Sequence, residues 1–198
     1  MAKRYDQEYY QRWYRSSRAV ITPELRGQKV RLAVAAAEFV LGREIRSVLD
    51  VGCGEGAWRA VLRRMRPAVS YTGIEPSEYV VQRFGARRNI RQGSFESLDR
   101  MGLRRKFDLV VCADVLAYVP TAQLHRGLVA IRKLSRGVAY LEAYADSDDL
   151  IADFEGWHHR SEATWRRAFA AAGFIPCGLH CFVARDSKHQ LAALERCG

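Results

Sequence analysis

Short apolar runs alternate with amphipathic stretches along most of this chain. The runs that predict β-strands cover residues 47–51, 70–75, 89–92, 107–113 and 137–143. The stretches whose apolar positions recur at helical spacing cover residues 23–41, 57–66, 77–86, 121–134 and 161–172. This alternation predicts βαβ crossovers, and the nearly continuous apolar run 107–113 is typical of a strand buried on both faces. We therefore predict an α/β fold: a doubly wound, mostly parallel sheet with helices on both faces.

The N-terminal segment has a different character. Residues 6–19 interleave aromatic and basic side chains, and helical spacing places Tyr10 and Trp13 on one face. Either these two side chains close a cavity and contact the substrate, or the segment is an amphipathic helix that docks on the core. We predict a helical cap or lid over residues 1–42 and one globular domain over residues 43–198.

The C-terminal pattern predicts the last strands of the sheet. A strand begins at Gly173-Phe174 and runs to about Val183, and the polar residues 185–188 predict a turn. Residues 190–197 return as a strand or, because they are rich in Ala and Leu, as a helix. The sheet would then have about seven strands, with the last one antiparallel.

A glycine-rich turn follows the first predicted strand and opens a helix. The strand ends at Asp50, and the next residues are Val51-Gly52-Cys53-Gly54-Glu55-Gly56. Glycines adopt backbone angles that other residues avoid, and they let a ligand approach the main chain closely. Glu75 ends the next strand, about 20 residues later, where a carboxylate can accept both hydroxyls of a ribose. The two features together predict a nucleoside site.

The charge and the cysteine content say less about function than the glycine turn and Glu75 do. The formal net charge is +10, and 27 of the 32 basic residues are Arg. Because the arginines are scattered, we read them as solvated surface, while a nucleic-acid partner stays open as the less favoured alternative. The five cysteines, an odd number, favour free thiols in a reducing compartment. No apolar stretch is long enough for a membrane span and the start is polar, so we predict a cytoplasmic protein. We expect it to be a monomer or a homodimer.

Four segments in order resemble the motifs of class I S-adenosylmethionine-dependent methyltransferases. Val48 to Gly56 is similar to their first motif, and Glu75-Pro76-Ser77 to their acidic ribose motif. Gln92 to Glu96 resembles their adenine loop, and Phe107 to Val119 their fourth-strand motif. The resemblance covers roughly residues 40 to 180 and implies S-adenosylmethionine as cofactor, with S-adenosylhomocysteine as product.

The resemblance also implies roles for individual residues. Glu75 would hold the ribose hydroxyls, and Pro76, Ser94 and Phe95 would lie at the adenine. The family often has Asp where Ser94 stands, so we expect a weaker hydrogen bond to the adenine amino group. The methionine and ribose part would lie against the remaining cofactor residues, namely Asp50, Gly52, Cys53, Gly54, Ala113, Asp114 and Val115.

Methyl transfer chiefly requires that cofactor and acceptor be held in line, and a general base helps where the acceptor loses a proton. The candidate bases are Tyr118, at the end of the fourth-strand motif, and His158 and His159, just before the last predicted helix. Trp157, beside them, is a candidate substrate contact. Cys177 and Cys181 are of a residue type that often binds metals. Zinc needs four ligands, however, and the sequence offers no second pair of ligands to join them, so we predict no metal.

The acceptor is the least determined part of the prediction. Signatures that accompany DNA, cytosine-C5 and protein-arginine methylation are missing after the fourth strand, where the chain has Asp114-Val115-Leu116-Ala117. A small-molecule acceptor is therefore favoured, with an RNA or protein methyltransferase as the alternative. Two other classes stay open: an NAD-dependent oxidoreductase, since Gly52, Gly54 and Ala57 fit the relaxed dinucleotide pattern, and a non-catalytic nucleoside-binding module.

Overall fold

The sheet has the predicted doubly wound order. The computed structural model describes residues 5–14, 22–150 and 153–197, and within them seven strands form one sheet in the order β3-β2-β1-β4-β5-β7-β6. Strands β1 to β5 pair in parallel, and β7 is antiparallel to both of its neighbours. The strands are β1 Ser47–Val51, β2 Ser70–Glu75, β3 Ile90–Gln92, β4 Phe107–Cys112, β5 Ser135–Leu141, β6 Phe174–Pro176 and β7 Cys181–Ala184. This confirms the predicted fold class.

Helices cover both faces of the sheet. They are α1 Gln7–Tyr14, α2 Pro23–Leu41, α3 Ala57–Met65, α4 Glu78–Arg88, α5 Thr121–Leu134 and α6 Glu162–Ala171. The side chains of Thr22 and Ser77 cap α2 and α4 by accepting hydrogen bonds from Leu25 N and Val80 N. Gly42 ends α2 in the left-handed conformation, at φ 63°.

The burial of β4 explains its continuous apolar sequence. All six of its residues are buried. Leu109 and Val111 join a core cluster that includes residues of α2, α3 and α4, while Val110 and Cys112 join a second cluster with α5 and α6. Because alternate side chains enter two cores, no position on the strand faces water.

Helix α2 packs its apolar face on the sheet. Val30, Ala33, Val34 and Ala37 are buried in the same core cluster as Val138 of β5. Lys29 of α2 is not part of this apolar face and forms an ion pair with Glu142, directly after β5. The division into a cap over residues 1–42 and a domain over 43–198 stays a prediction.

The C-terminal segment differs from the prediction. The expected strand from residue 174 to about 183 is a hairpin of β6 and β7, because Gly178, Leu179 and His180 take positive φ angles between them. The turn is closed by hydrogen bonds from Cys177 N to Cys181 O and from Cys181 N to Gly178 O. Residues 190–197 were expected as a strand or helix. Gln190 instead ends the 3₁₀ helix Arg185–Gln190, and Ala193–Glu195 forms a 3₁₀ turn. The seventh strand therefore comes from within the earlier segment.

A buried carboxylate fixes the start of β4. Asp108 accepts hydrogen bonds from Arg43 Nη1 and Nη2 at 3.0 and 2.9 Å and from Arg46 N at 2.7 Å. Burial alone would raise the pKa of Asp108, but the hydrogen bonds from Arg43 and Arg46 outweigh it and the pKa is lowered. The pair thus ties the segment after α2 to the central strand.

We predict that Asp108→Asn lowers stability at neutral pH by about 2 kcal/mol, since hydrogen bonds to a charged group are lost. A carboxyl whose folded pKa lies below its unfolded value of about 3.9 stabilises the fold above that value, and its contribution is lost as the pH falls through the folded pKa. The difference between the variant and the parent, measured by urea unfolding, should therefore narrow below about pH 4. A constant difference at every pH would contradict this account; Asp99→Asn, at an exposed carboxylate, is the control.

Candidate active site

The glycine turn lies against the loop that follows β4. Gly52, Gly54 and Gly56 all have positive φ, at 70°, 52° and 78°. A Cβ added at Gly52 would stand 2.3 Å from Cγ2 of Val115, closer than any real contact. Only glycine allows this approach, which occurs at the point where the strand order reverses between β1 and β4.

Glu75 is held by main-chain donors at the end of β2. Its Oε2 accepts a hydrogen bond from Gly54 N at 2.9 Å, and its Oε1 accepts from Ser77 N and Tyr10 Oη, both at 3.1 Å. The residue is only 3% exposed, and burial raises the pKa of its carboxyl despite these donors. The carboxylate is therefore fixed in position between the glycine turn, the start of α4 and helix α1.

A cavity of about 240 Å³ opens beside Glu75. We call it the first chamber. The predicted cofactor residues on its wall are Gly52, Gly54, Glu75, Pro76, Ser94, Phe95, Asp114 and Val115, and three tyrosines of the N-terminal segment, Tyr5, Tyr9 and Tyr10, also line it. The structure thus brings together residues that are separated by up to 110 positions in sequence.

Phe95 is placed by a close contact with α5. The ring is 3% exposed, and a Cβ added at Gly127 would lie 2.0 Å from its Cε1 atom. Ser94, directly before it, caps the 3₁₀ helix Phe95–Arg100 through a reciprocal pair with Ser97. The adenine-loop residues are therefore set by α5 packing and by this cap.

A second cavity, of about 280 Å³, lies on the other side of the glycine turn. We call it the second chamber. It shares Tyr9, Gly52, Asp114, Val115 and Tyr118 with the first chamber, so the two adjoin at the tips of β1 and β4. The remaining predicted cofactor residues, Asp50, Cys53 and Ala113, line this chamber. Its outer wall carries side chains of α2 and α3, the segment after β5 and the loop around Trp157.

Asp50 and Cys53 are buried at the base of the turn. Asp50 is 2% exposed and accepts a hydrogen bond from Tyr71 Oη at 2.8 Å. Burial raises the pKa of Asp50 to about 7, with a further contribution from Glu75. Burial likewise raises the pKa of the Cys53 thiol well above its ordinary value. At neutral pH the thiol is therefore protonated, and Cys53 contributes shape rather than charge.

An ionic cluster stands at the carboxyl end of β5. Glu142 Oε1 lies 2.5 Å from Lys29 Nζ and 2.5 Å from Tyr144 Oη. Asp114 faces the same carboxylate from the loop after β4. Desolvation in the cleft and the charge of Glu142 raise the pKa of Asp114 to about 7. Asp114 itself keeps an exposed surface toward the chamber and has a positive φ of 57°, which is uncommon for a residue with a side chain.

Lys29 and Glu142 are absent from the sequence prediction of the site. Lys29 and Glu142 are 113 positions apart, and neither belongs to a motif. The one sequence signal is that Glu142 is a polar residue directly after an apolar strand, as Glu75 is. Such a residue is expected near a ligand in an open α/β sheet.

The three candidate bases have different surroundings. Tyr118 lies between the chambers, and its hydroxyl donates to the main-chain oxygen of Asp153 at 2.7 Å. Burial, with the charge of Asp153, raises the pKa of Tyr118, so its phenol stays protonated and is a poor base. His158 and His159 are exposed, and neither is among the described residues that line the two chambers. The structure does not bring either histidine to the described chamber walls, and their catalytic role stays a prediction.

The candidate substrate contacts are also separated. Trp157 lines the second chamber and packs edge-on against Tyr118, with ring centroids 5.5 Å apart. Tyr10 instead lines the first chamber, beside Glu75. The side chain of Trp13 lies outside the described part of the chain.

Two further features of the described residues bear on the chemistry. No group of three or more His, Cys, Asp or Glu side chains among them is arranged to hold a metal ion. None of their α-helices combines the length and hydropathy of a transmembrane segment.

The fold has many counterparts among solved structures. A methyltransferase described as S-adenosylmethionine-dependent, from Archaeoglobus fulgidus, aligns with a TM-score of 0.62 at 14% identity over 84% of this chain and 73% of its own. The sugar N-methyltransferase KedS8 from Streptoalloteichus sp. aligns with a TM-score of 0.60 at 19% identity, over 88% and 86%. The O-methyltransferase NcsB1 from neocarzinostatin biosynthesis, solved with S-adenosylhomocysteine and 1,4-dihydroxy-2-naphthoic acid, gives 0.55 at 19%, over 82% and 58%.

Sequence comparison points the same way as the fold. No curated protein matches the chain. The family model described as "Methyltransferase domain" matches residues 10–175, which include both chambers' strand tips and most of the chain's 198 residues. The chain therefore belongs to this methyltransferase family, with the class I S-adenosylmethionine-dependent fold that its four motifs resemble.

Proposed function

We propose that this protein transfers the methyl group of S-adenosylmethionine to a small-molecule acceptor by in-line displacement. The observation that carries the proposal is the pair of adjoining chambers, which share residues at the tips of β1 and β4. One chamber has the carboxylate and glycine turn that suit a nucleoside. The other would take the methionine end of the cofactor beside Asp50 and Cys53 and the acceptor beside Trp157. A transfer between two bound molecules requires this arrangement, because the reacting atoms must meet at short distance.

The first chamber fits the nucleoside part of the cofactor. Glu75 has two fixed carboxylate oxygens for the ribose hydroxyls, and Pro76 and Phe95 supply apolar surface for the adenine. Ser94 would contact the adenine edge. Gly52 contributes only main chain to the junction, where it meets the side chain of Val115 and where the methionine part would pass.

When bound, the cofactor supplies an electrophilic methyl group, whose bond to sulfur breaks with the electron pair left on sulfur. The residues of the chain then have to align the acceptor and exclude water. Gly52, Asp114 and Val115 line both chambers and therefore border the place where the methyl group would be passed. Asp50 and Cys53, at the base of the turn, would border the methionine end.

The second chamber supports a small acceptor. Its volume of about 280 Å³ is at the small end of pockets that hold compact organic molecules. Trp58, Tyr144 and Trp157 provide aromatic walls. KedS8 and NcsB1, whose names or bound ligands indicate small-molecule acceptors, share the fold, which adds support without defining the acceptor here.

Isothermal titration with S-adenosylhomocysteine and with NAD tests the proposal. We expect S-adenosylhomocysteine to bind with micromolar affinity and NAD not to bind. Binding of NAD alone would favour hydride transfer instead. A structure with S-adenosylhomocysteine outside the first chamber would overturn the assignment of the site.

We predict that Glu75→Ala weakens S-adenosylhomocysteine binding by about 1–3 kcal/mol, because hydrogen bonds to a charged group are lost. The measurement is the dissociation constant from isothermal titration, with the unfolding temperature recorded for the same samples. Glu78→Ala removes an exposed carboxylate three residues further on and is the matched control. Unchanged affinity in a folded Glu75→Ala protein would refute the ribose role of Glu75.

We also predict that Gly127→Ala weakens cofactor binding, because the new Cβ would displace the Phe95 ring that lines the first chamber. Overpacking should lower stability by about 1–3 kcal/mol. Gly27→Ala, the control, adds a Cβ that meets only the flexible end of Arg31, at 3.3 Å. The helix propensity of Ala should then leave stability equal or about 1 kcal/mol higher. Parent-like affinity and stability in Gly127→Ala would show that α5 does not position Phe95.

A further inference from the structure

One carboxylate oxygen at the second chamber has no hydrogen-bond partner among the residues that the structure describes. The side chain of Glu142 is fully buried, and it lines the chamber. Its Oε1 forms an ion pair with Lys29 and accepts a hydrogen bond from Tyr144 Oη, whereas Oε2 accepts no hydrogen bond from the described part of the chain. Leaving a buried charged acceptor unpaired is costly, and such a group in a native protein calls for a donor from elsewhere.

Asp114 faces the Glu142 carboxyl group from the neighbouring strand end. Its carboxyl lies within hydrogen-bonding reach of Glu142, and the two charges repel each other. One shared proton would relieve the repulsion, and so would a bound group with N–H donors. Because Asp114 also borders the junction of the two chambers, a molecule held by this pair would lie next to the place where the methyl group is passed.

The charges that line the second chamber are unbalanced. Among the described residues that line it, four carboxyl side chains, Asp50, Asp114, Glu142 and Asp153, stand against two basic ones, Arg26 and Lys29. Lys29 is already bound to Glu142. An excess of carboxyl groups in a confined site favours a ligand that carries positive charge, and such a ligand would in turn favour the ionised form of Asp114.

The walls around the pair are aromatic and are held in place. Trp58 packs on Tyr140 with ring centroids 5.3 Å apart, and Tyr144 packs edge-on against His180 at 5.4 Å. Aromatic faces attract cations at short distance, in addition to the apolar surface that they offer. The chamber therefore combines an acidic end with a surface suited to an organic cation.

We infer that the methyl acceptor is a small amine, whose N–H groups are held by Glu142 Oε2 and the Asp114 carboxylate; this rests on the proposed function. The amine binds as an ammonium ion, and one of its protons passes to the Asp114 carboxylate and then to water, which frees the nitrogen lone pair. The nitrogen then forms its bond to the methyl carbon while the carbon–sulfur bond breaks and its electron pair stays on sulfur. An alcohol brings one donor for two carboxylates. A carboxylic acid would add a third negative charge, and a thioether or carbon nucleophile would leave Oε2 unpaired.

The test compares amines and alcohols of the same carbon skeleton on protein loaded with S-adenosylhomocysteine. The probes are benzylamine with benzyl alcohol, cyclohexylamine with cyclohexanol, and tryptamine with tryptophol, titrated by ligand-observed NMR. We expect the amine of at least one pair to bind at least about tenfold more tightly than its alcohol, which corresponds to one lost charged hydrogen bond. If S-adenosylhomocysteine binds but no amine exceeds its alcohol, the inference is wrong. If S-adenosylhomocysteine itself fails to bind, it is the proposed function that fails.

The variant Glu142→Gln tests whether the preference for the amine over its alcohol depends on the Glu142 carboxylate. It should remove most of the preference for the amine and leave binding of the alcohol and of S-adenosylhomocysteine unchanged. Glu162→Gln, at an exposed carboxylate on α6, is the control and should keep the preference.

A double variant separates ligand binding from a structural ion pair. In Lys29→Gln/Glu142→Gln both charges of the pair are removed, so the chamber regains its internal balance. If Glu142 served only to neutralise Lys29, the double variant would recover amine binding, and that result would overturn the inference. If Glu142 holds the amine, the preference stays lost in the single and the double variant alike.

Discussion

The buried carboxylate of Glu75 connects three parts of the molecule that are far apart in sequence. It accepts hydrogen bonds from the glycine turn after β1, from the start of α4 and from Tyr10 of α1. A carboxylate this buried is tolerated only because donors surround it. These same donors fix where its oxygens point, so the shape of the first chamber and the stability of its floor depend on one side chain.

The topology of the sheet explains why a second chamber adjoins the first. Strand order reverses between β1 and β4, and the loops that leave their carboxyl ends diverge to opposite faces. Gly52 and Val115 keep these loops in contact at the centre. Beyond them, the end of β5 and helix α2 enclose the space in which Lys29, Glu142 and Asp114 meet. The glycine turn and the acidic end of β2 border the first chamber, and the packing of α2 beside the end of β5 borders the second.

The sequence predicts the features that are encoded locally. The apolar run of β4, the glycine turn and the acidic end of β2 each depend on neighbouring residues, and the structure has them where they were expected. The C-terminal hairpin was missed because Leu179 and His180 take positive φ angles, which residues with side chains adopt only rarely and which the sequence pattern does not predict. The pair of Lys29 and Glu142 was missed because only packing of α2 on the sheet brings these residues together. The histidines at 158 and 159 were selected for their chemistry alone, and the fold leaves them exposed.

The hydrogen bond from Tyr10 to Glu75 has a thermodynamic consequence for α1. A phenol hydroxyl already occupies one side of the oxygen that a sugar hydroxyl would approach. If the sugar shares that oxygen, ligand binding and the docking of α1 on the core stabilise each other. If the sugar displaces the phenol, ligand binding weakens the docking of α1, and the docked helix weakens ligand binding. Linkage between binding equilibria is reciprocal, so in either case the stability of docked α1 depends on whether the site holds a ligand.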